Sequence, residues 1–177
     1  LTLQTADQEN PMTSIPYQTI IQSPFGKIGF NFRDNTLTHL DWLPAESQIK
    51  RSKAPGEKDI VMQLEAYFKN PRHQFQIDLA PEGSVFQQKV WQAIRDIPSG
   101  SIMTYGQLAK HLNSSPRAVG QACRRNPVVI ITPCHRVVGA TGLGGYTGAT
   151  KGPQFETKRM LLQHEGQGKD IATVLPL

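Results

Sequence analysis

Three helix-start signals crowd the second half of the chain and leave it little freedom in how to fold. Ser84-Val85-Phe86-Gln87 is a capping-box pattern, with Ser84 at the N-cap and Gln87 three residues on. Phe86, Val90, Ala93, Ile94 and Ile97 then recur at helical spacing, which gives this helix one core face. Pro98-Ser99-Gly100 ends it. Thr104-Tyr105-Gly106-Gln107 repeats the capping box and leads into Leu108, Ala109 and Leu112. A turn at Asn113-Ser114 precedes a third N-cap, Ser115, with Pro116 at the first helical position, where a missing N–H does no harm. This last helix is predicted to run through Arg125 and to close at Asn126-Pro127. Helix, short turn and basic second helix outline a helix-turn-helix.

The second helix carries Ala118, Gly120 and Ala122. Glycine in a helix interior costs about 0.5–1 kcal/mol relative to alanine. Small residues there fit either tight helix packing or close approach to a DNA groove. Val128-Val129-Ile130-Ile131-Thr132 follows as a short apolar, β-branched run and predicts a buried strand. Pro133 has no amide hydrogen, so the strand should end there. Cys134 then precedes His135 and Arg136. Cationic or hydrogen-bonding neighbours favour the thiolate, which is the nucleophile. Arg136 is read as structural.

Charge is segregated along the chain. From Ile97 to Phe155 there is no Asp or Glu, and all 14 acidic residues lie elsewhere. The same stretch holds Lys110, Arg117, Arg124, Arg125, Arg136 and Lys151. A net charge of +5 would say little by itself; its concentration in one segment points to a polyanion, and nucleic acid is the commonest.

Tyr105, Arg117-Ala118-Val119-Gly120, Asn126-Pro127, Pro133-Cys134-His135-Arg136-Val137-Val138-Gly139 and Gly145-Tyr146-Thr147-Gly148 stand in a specific order and spacing. Lys158, Leu161-Leu162 and His164-Glu165-Gly166 complete the pattern. The chain thereby resembles the O6-alkylguanine-DNA alkyltransferases, or methylated-DNA–protein-cysteine methyltransferases, over about residues 84–166. Ser23-Pro24-Phe25-Gly26 looks like the start of that family's N-terminal domain.

The resemblance implies roles. Cys134 would accept the alkyl group, irreversibly and once per molecule. His135 would take the thiol proton through a water, with Glu165 orienting it. Tyr105 would protonate or hydrogen-bond the leaving guanine. Arg117 would fill the stack vacated by the flipped base. Ala118, Gly120, Gln121, Arg124 and Arg125 would face DNA. Asn126, Leu143, Tyr146 and Thr147 would belong to the substrate pocket, Asn126 as hinge between helix and active-site strand. The implied partner is double-stranded DNA containing O6-alkylguanine, met by a monomer. The alternative is a non-enzymatic alkylated-DNA lesion-binding protein, but such relatives lose the acceptor cysteine that Cys134 supplies. A cysteine hydrolase would leave the basic helix-turn-helix unexplained. Two departures stand out. Residues 148–157 are several more than most relatives have, and Met160 stands where many carry tryptophan. Both bear on substrate range.

No cofactor is implied. Gly142, Gly144, Gly145 and Gly148 lack the strand-to-helix context of a phosphate loop and read as pocket-loop flexibility. The two cysteines, Cys123 and Cys134, fit a reducing compartment and give no zinc spacing; Cys123 reads as a small packed or groove-side residue. Upstream, Tyr17–Ile21, Lys27–Arg33, Leu37–Leu43 and Phe75–Leu79 read as strands, with a turn at Asp34-Asn35. Asp59–Tyr67 reads as a helix with Ile60, Leu64 and Phe68 on one face. The fold class is therefore α+β. The resemblance implies a small ribonuclease-H-like N-terminal domain over 15–82 and a mainly helical, winged-helix-like DNA-binding and alkyl-transfer domain over 83–168. Residues 1–14 and 169–177 are expected to be tails. The first lacks the charged start and apolar run of a signal peptide. The opening at Leu1 leaves room for residues before it. No apolar run is long enough to span a membrane, and a cytoplasmic protein acting at the nucleoid, or a nuclear one in a eukaryote, is expected.

Overall fold

The computed structural model describes residues 16–166; the expected tails at 1–14 and 169–177 lie outside the described residues. β1 (Thr19–Ser23), β2 (Gly26–Arg33) and β3 (Thr36–Leu43) form an antiparallel meander. Asp34 and Asn35 make the β2–β3 turn with φ of 46° and 66°. Such left-handed pairs match the twist of the flanking strands and favour Asn and Asp. The inward residues Ile28, Phe30, Leu37 and Leu40 are fully buried, and α1 (Glu57–Lys69) lays Ile60, Leu64 and Tyr67 into the core.

The strand predicted over Phe75–Leu79 is shorter. Only β4 (Asp78–Leu79) pairs, parallel to β3. The Gln76 amide donates to Gln63 Oε1 at 2.7 Å, and Gln63 Nε2 donates to the Gln76 carbonyl at 3.2 Å. These bonds hold the preceding residues to α1 in place of the sheet.

Each of the three helix starts forms at its expected cap. α2 (Val85–Arg95) and α3 (Tyr105–His111) both have complete capping boxes, from Ser84/Gln87 and Thr104/Gln107. α4 (Pro116–Arg124) is capped by Ser115, whose side chain accepts from the Ala118 amide. Trp91 of α2 is buried and donates its indole N–H to the Ala122 carbonyl at 2.9 Å, fixing α2 against α4.

The segment 128–132 is buried as expected but is not a strand. Val128 makes one parallel bridge to Leu40, and the chain then coils: the Thr132 amide donates to the Val128 carbonyl at 3.0 Å. Two features overrule β propensity. Ile130 adopts φ +72°, a rare conformation for a β-branched residue. Asn126 Nδ2 donates to the Thr132 carbonyl at 2.8 Å, while Asn126 Oδ1 accepts from the Val128 amide at 3.0 Å. One buried side chain thus closes the loop. A 3-10 turn (Cys134–Arg136) follows, then β6 (Val137–Val138), which pairs parallel with β5 (Met103–Thr104). α5 (Pro153–His164) ends the described chain.

A single continuous apolar cluster runs from Ile21 through Tyr67 and Trp91 to Leu161, so the N-terminal sheet and the C-terminal helices share one core. No helix among the described residues is long and apolar enough to cross a membrane.

Candidate active site

Cys134 lies on the wall of a cavity of about 360 Å³ between α4 and the loop after β6. α4 contributes Pro116, Gly120, Cys123 and Arg124; the loop contributes Gly145, Tyr146, Thr147 and Gly148; Tyr105 closes one side. The thiol is almost wholly buried, at 3% exposure. Burial pushes its pKa up, while the Asn126 amide, which donates to Sγ at 3.2 Å, and the Lys158 ammonium pull the other way. The net direction is up, so the resting group is a thiol and attack requires a base.

A candidate base is adjacent in the chain. His135 is completely buried, and its Nε2 lies 2.9 Å from Glu165 Oε1. A carboxylate accepts only, so the proton sits on Nε2 and Nδ1 carries the lone pair. Nδ1 is buried with no hydrogen-bond partner among the described residues. Burial lowers the pKa of His135 against the opposing pull of Glu165, and the imidazole is held neutral.

Glu165 caps the C-terminal end of α5 and gathers four hydrogen bonds. Oε1 accepts from His135, from Arg136 Nη2 at 2.8 Å and from the Tyr67 hydroxyl at 2.8 Å; Oε2 accepts from Arg136 Nε at 2.9 Å. Burial would raise this carboxyl, but the bonds from His135 and Arg136 outweigh it and hold the pKa well below the usual carboxylate range. Arg136 is therefore a structural counter-ion at 9% exposure and not a free surface cation.

The pocket loop is held from below. Lys158 Nζ donates to the carbonyls of Val137 at 2.7 Å, Leu143 at 2.6 Å and Gly145 at 3.0 Å. Burial lowers its pKa to about 8. The loop itself turns tightly: Tyr146 and Ala149 exchange two backbone hydrogen bonds at 2.8 Å, with Thr147 at φ +47° and Gly148 at φ +90°. A Cβ on Gly148 would sit 2.8 Å from Arg124 Nε, so glycine lets the arginine of α4 lie against the loop. Tyr105 donates its hydroxyl to the Gly145 carbonyl at 3.1 Å, and Trp42 of β3 donates its indole N–H to the Tyr146 hydroxyl at 2.9 Å. Thr147 Oγ1 is buried without a partner among the described residues.

The chain that brings this buried thiol, imidazole and carboxylate together has relatives among known proteins. Residues 85–167 match the family model described as the 6-O-methylguanine DNA methyltransferase DNA binding domain. A methylated-DNA–protein-cysteine methyltransferase from Methanosarcina acetivorans is 38% identical over 158 residues, spanning 85% of this chain and 98% of the relative. The chain belongs to the methylated-DNA–protein-cysteine methyltransferase family. The Haemophilus influenzae member is 37% identical over 87% of this chain and 88% of its own. The crystal structure of the Mycobacterium tuberculosis O6-methylguanine methyltransferase superposes with a TM-score of 0.71 at 35% identity, covering 86% of this chain and 92% of that one. A Mycobacterium tuberculosis OGT structure in complex with DNA gives 0.70 at 39% identity, covering 82% and 90%.

Within this methyltransferase fold, the residues singled out from the sequence fall into three groups. Cys134, Tyr105, Tyr146, Thr147, Gly120 and Arg124 line the cavity; His135, Glu165 and Asn126 lie behind it, each joined to the wall or to one another by hydrogen bonds. Arg117, Gln121 and Arg125 are exposed along α4, with Ala118 half-buried beside them. Leu143 is not on the cavity wall: it packs with Val138 and Leu162 in a small separate cluster, and only its carbonyl serves the site, through Lys158. Sequence reading missed Tyr67 and Trp42 and gave Lys158 no role. Tyr67 sits on the core face of α1 one turn past Leu64, and a buried tyrosine hydroxyl needs a partner. That signal was available, but the partner lies 98 residues away.

Proposed function

We propose that this protein repairs O6-alkylguanine in duplex DNA by moving the alkyl group onto its own Cys134, once per molecule. The observation that carries the reading is the buried Cys134 thiol at the cavity wall, beside a neutral imidazole whose Nδ1 is free to accept a proton. An oxygen engaged in a base stack cannot reach a thiol at that depth, so the nucleotide must swing out of the helix. Arg117, exposed in the first turn of α4, fills the space it leaves; Gln121, Arg124 and Arg125 meet the backbone beside it.

As Sγ forms a bond to the alkyl carbon, the bond from that carbon to O6 breaks and guanine departs with the electron pair. The thiol proton passes through a water to His135 Nδ1, and Glu165 stabilises the imidazolium. Tyr105 supplies a hydrogen bond to the leaving purine by turning its hydroxyl from the Gly145 carbonyl. Thr147 Oγ1 finds its partner on the extruded base. The product is a thioether, which water does not reverse. Sheet order β1-β2-β3-β4 with α1 supports reading residues 15–82 as a ribonuclease-H-like scaffold, and α3–α4 with the β5–β6 pair as a winged-helix-like DNA-binding unit within 83–168. A monomer acting wherever the cell keeps its DNA completes the reading.

Stoichiometry tests it. Mixed with excess methylated-guanine duplex, the protein should give one burst equal to its own amount. Intact-mass analysis should show one added methyl, mapped to the Cys134 peptide, with Cys123 unmodified. Sustained turnover, or methylation of Cys123 alone, would overturn the mechanism.

A further inference from the structure

Tyr67 lies in the last turns of α1, outside the segment that the family model matches. It is 1% exposed and touches two consecutive residues at the end of α5. Its carbonyl lies 2.9 Å from His164 Nε2, and its hydroxyl donates to Glu165 Oε1 at 2.8 Å. The ring also packs edge-on against His164, with centroids 5.3 Å apart.

Arg136 by itself fixes the plane of the Glu165 carboxylate, through one bond to each oxygen. The Tyr67 hydroxyl adds something different. It donates to Oε1, the oxygen that also holds His135 Nε2. Each further donor on a carboxylate oxygen drains charge from it and weakens its pull on the others. The charged and titratable groups around the imidazole are Glu165 and Lys158 from α5 and its cap, and Arg136 and Cys134 from the 3-10 turn. From α1, Tyr67 reaches the imidazole only through Glu165.

We infer that Tyr67 is a positioning residue of the proton relay: its hydroxyl limits the pull of Glu165 on His135 and keeps the imidazole unprotonated and ready to accept at Nδ1. This rests on the relay proposed above. The N-terminal half thereby sets the pH at which the C-terminal nucleophile works. The sign follows from the bond removed. Without the hydroxyl, Glu165 attracts the Nε2 proton more strongly, the imidazolium is favoured, and the His135 pKa rises. Less neutral base is then present in acid.

The test is Tyr67→Phe in the full chain, which keeps the ring and removes the donor. Transfer to methylated-guanine duplex is followed across pH, and the His135 ring is titrated by nitrogen NMR. The acid limb of the rate profile should move to higher pH, with transfer roughly three- to fivefold slower on that limb and at or above the unsubstituted rate in mild alkali. The His135 titration should move in the same direction. Fluorotyrosine at position 67, a stronger donor that leaves the packing in place, should move both curves the opposite way. Uniform slowing at every pH, an unmoved His135 titration, or a fluorotyrosine protein that behaves like Tyr67→Phe would overturn the inference. Glu165→Gln separates the two readings. If it slows transfer while Tyr67→Phe leaves the profile in place, only the role of Tyr67 falls; if it leaves the rate untouched, the relay itself falls.

Discussion

At Cys134 the protein holds a thiol that burial keeps protonated, next to a base that burial keeps neutral. In the proposed relay neither group is reactive until the proton moves, and Glu165 is the charge that favours the move. Glu165→Gln should therefore slow alkyl transfer by roughly tenfold or more while leaving the one-to-one limit intact. The same change strands Arg136, and the loss of stability at neutral pH should be about 3 kcal/mol, the low end for breaking a buried pair. The pH dependence has a definite sign. The carboxyl of Glu165 is depressed in the folded state, so its contribution is complete above its ordinary value of 4.5 and is lost as pH falls below it. Thermal melts of the two proteins should differ most near neutrality and converge in acid. A gap that persisted unchanged into strong acid would count against the pairing.

At the scale of elements, α4 separates two explanations for its small residues. Ala122 is buried against the Trp91 indole, so packing accounts for it. Gly120 is different: a Cβ there would meet nothing within 4 Å among the described residues. Intramolecular packing does not ask for glycine at this position, which faces the cavity. Gly120→Ala should consequently raise the unfolding midpoint, by about 0.5–1 kcal/mol of stability, since a helix-interior glycine gives way to the best helix former. It should also weaken binding to lesion-containing duplex by about 1 kcal/mol or more, as an added methyl meets the DNA. Calorimetry and a binding titration on the same sample decide the matter. A stability gain with unchanged DNA affinity would show that α4 does not approach the duplex through Gly120.

For the whole molecule, the acid-free stretch from Ile97 to Phe155 is less positive toward solvent than its composition suggests. Arg136 is spent on Glu165, inside the protein. If Arg117 enters the stack as proposed, Lys110, Arg124, Arg125 and Lys151 are left for phosphates. The slope of log affinity against log salt should then be no steeper than about −3.6 if this segment alone meets the backbone, at 0.9 per phosphate. A measured slope well beyond that would mean that cations of the N-terminal half also touch DNA. That half already serves the site from behind. Trp42 holds the Tyr146 hydroxyl, Tyr67 holds Glu165, and Leu40 pairs with the segment leading to Cys134.

The caps at Ser84, Thr104 and Ser115 were legible from sequence because each is satisfied within three residues, and no distant contact competes for the same donors. The hairpin turn at Asp34-Asn35 was legible for the same reason. Folding decided the rest. Val128–Thr132 carries strong β propensity, yet one asparagine side chain and the left-handed Ile130 turn it back on itself, because ladder bonds lost there are replaced by buried bonds to Asn126. Glu165 could be singled out by the pattern around it, but its partner Tyr67 could not, nor could the pairing of Trp42 with Tyr146 across 104 residues. Spacing along the chain reports hydrogen bonds that close within a turn; those made between elements exist only once the shared core has brought their ends together.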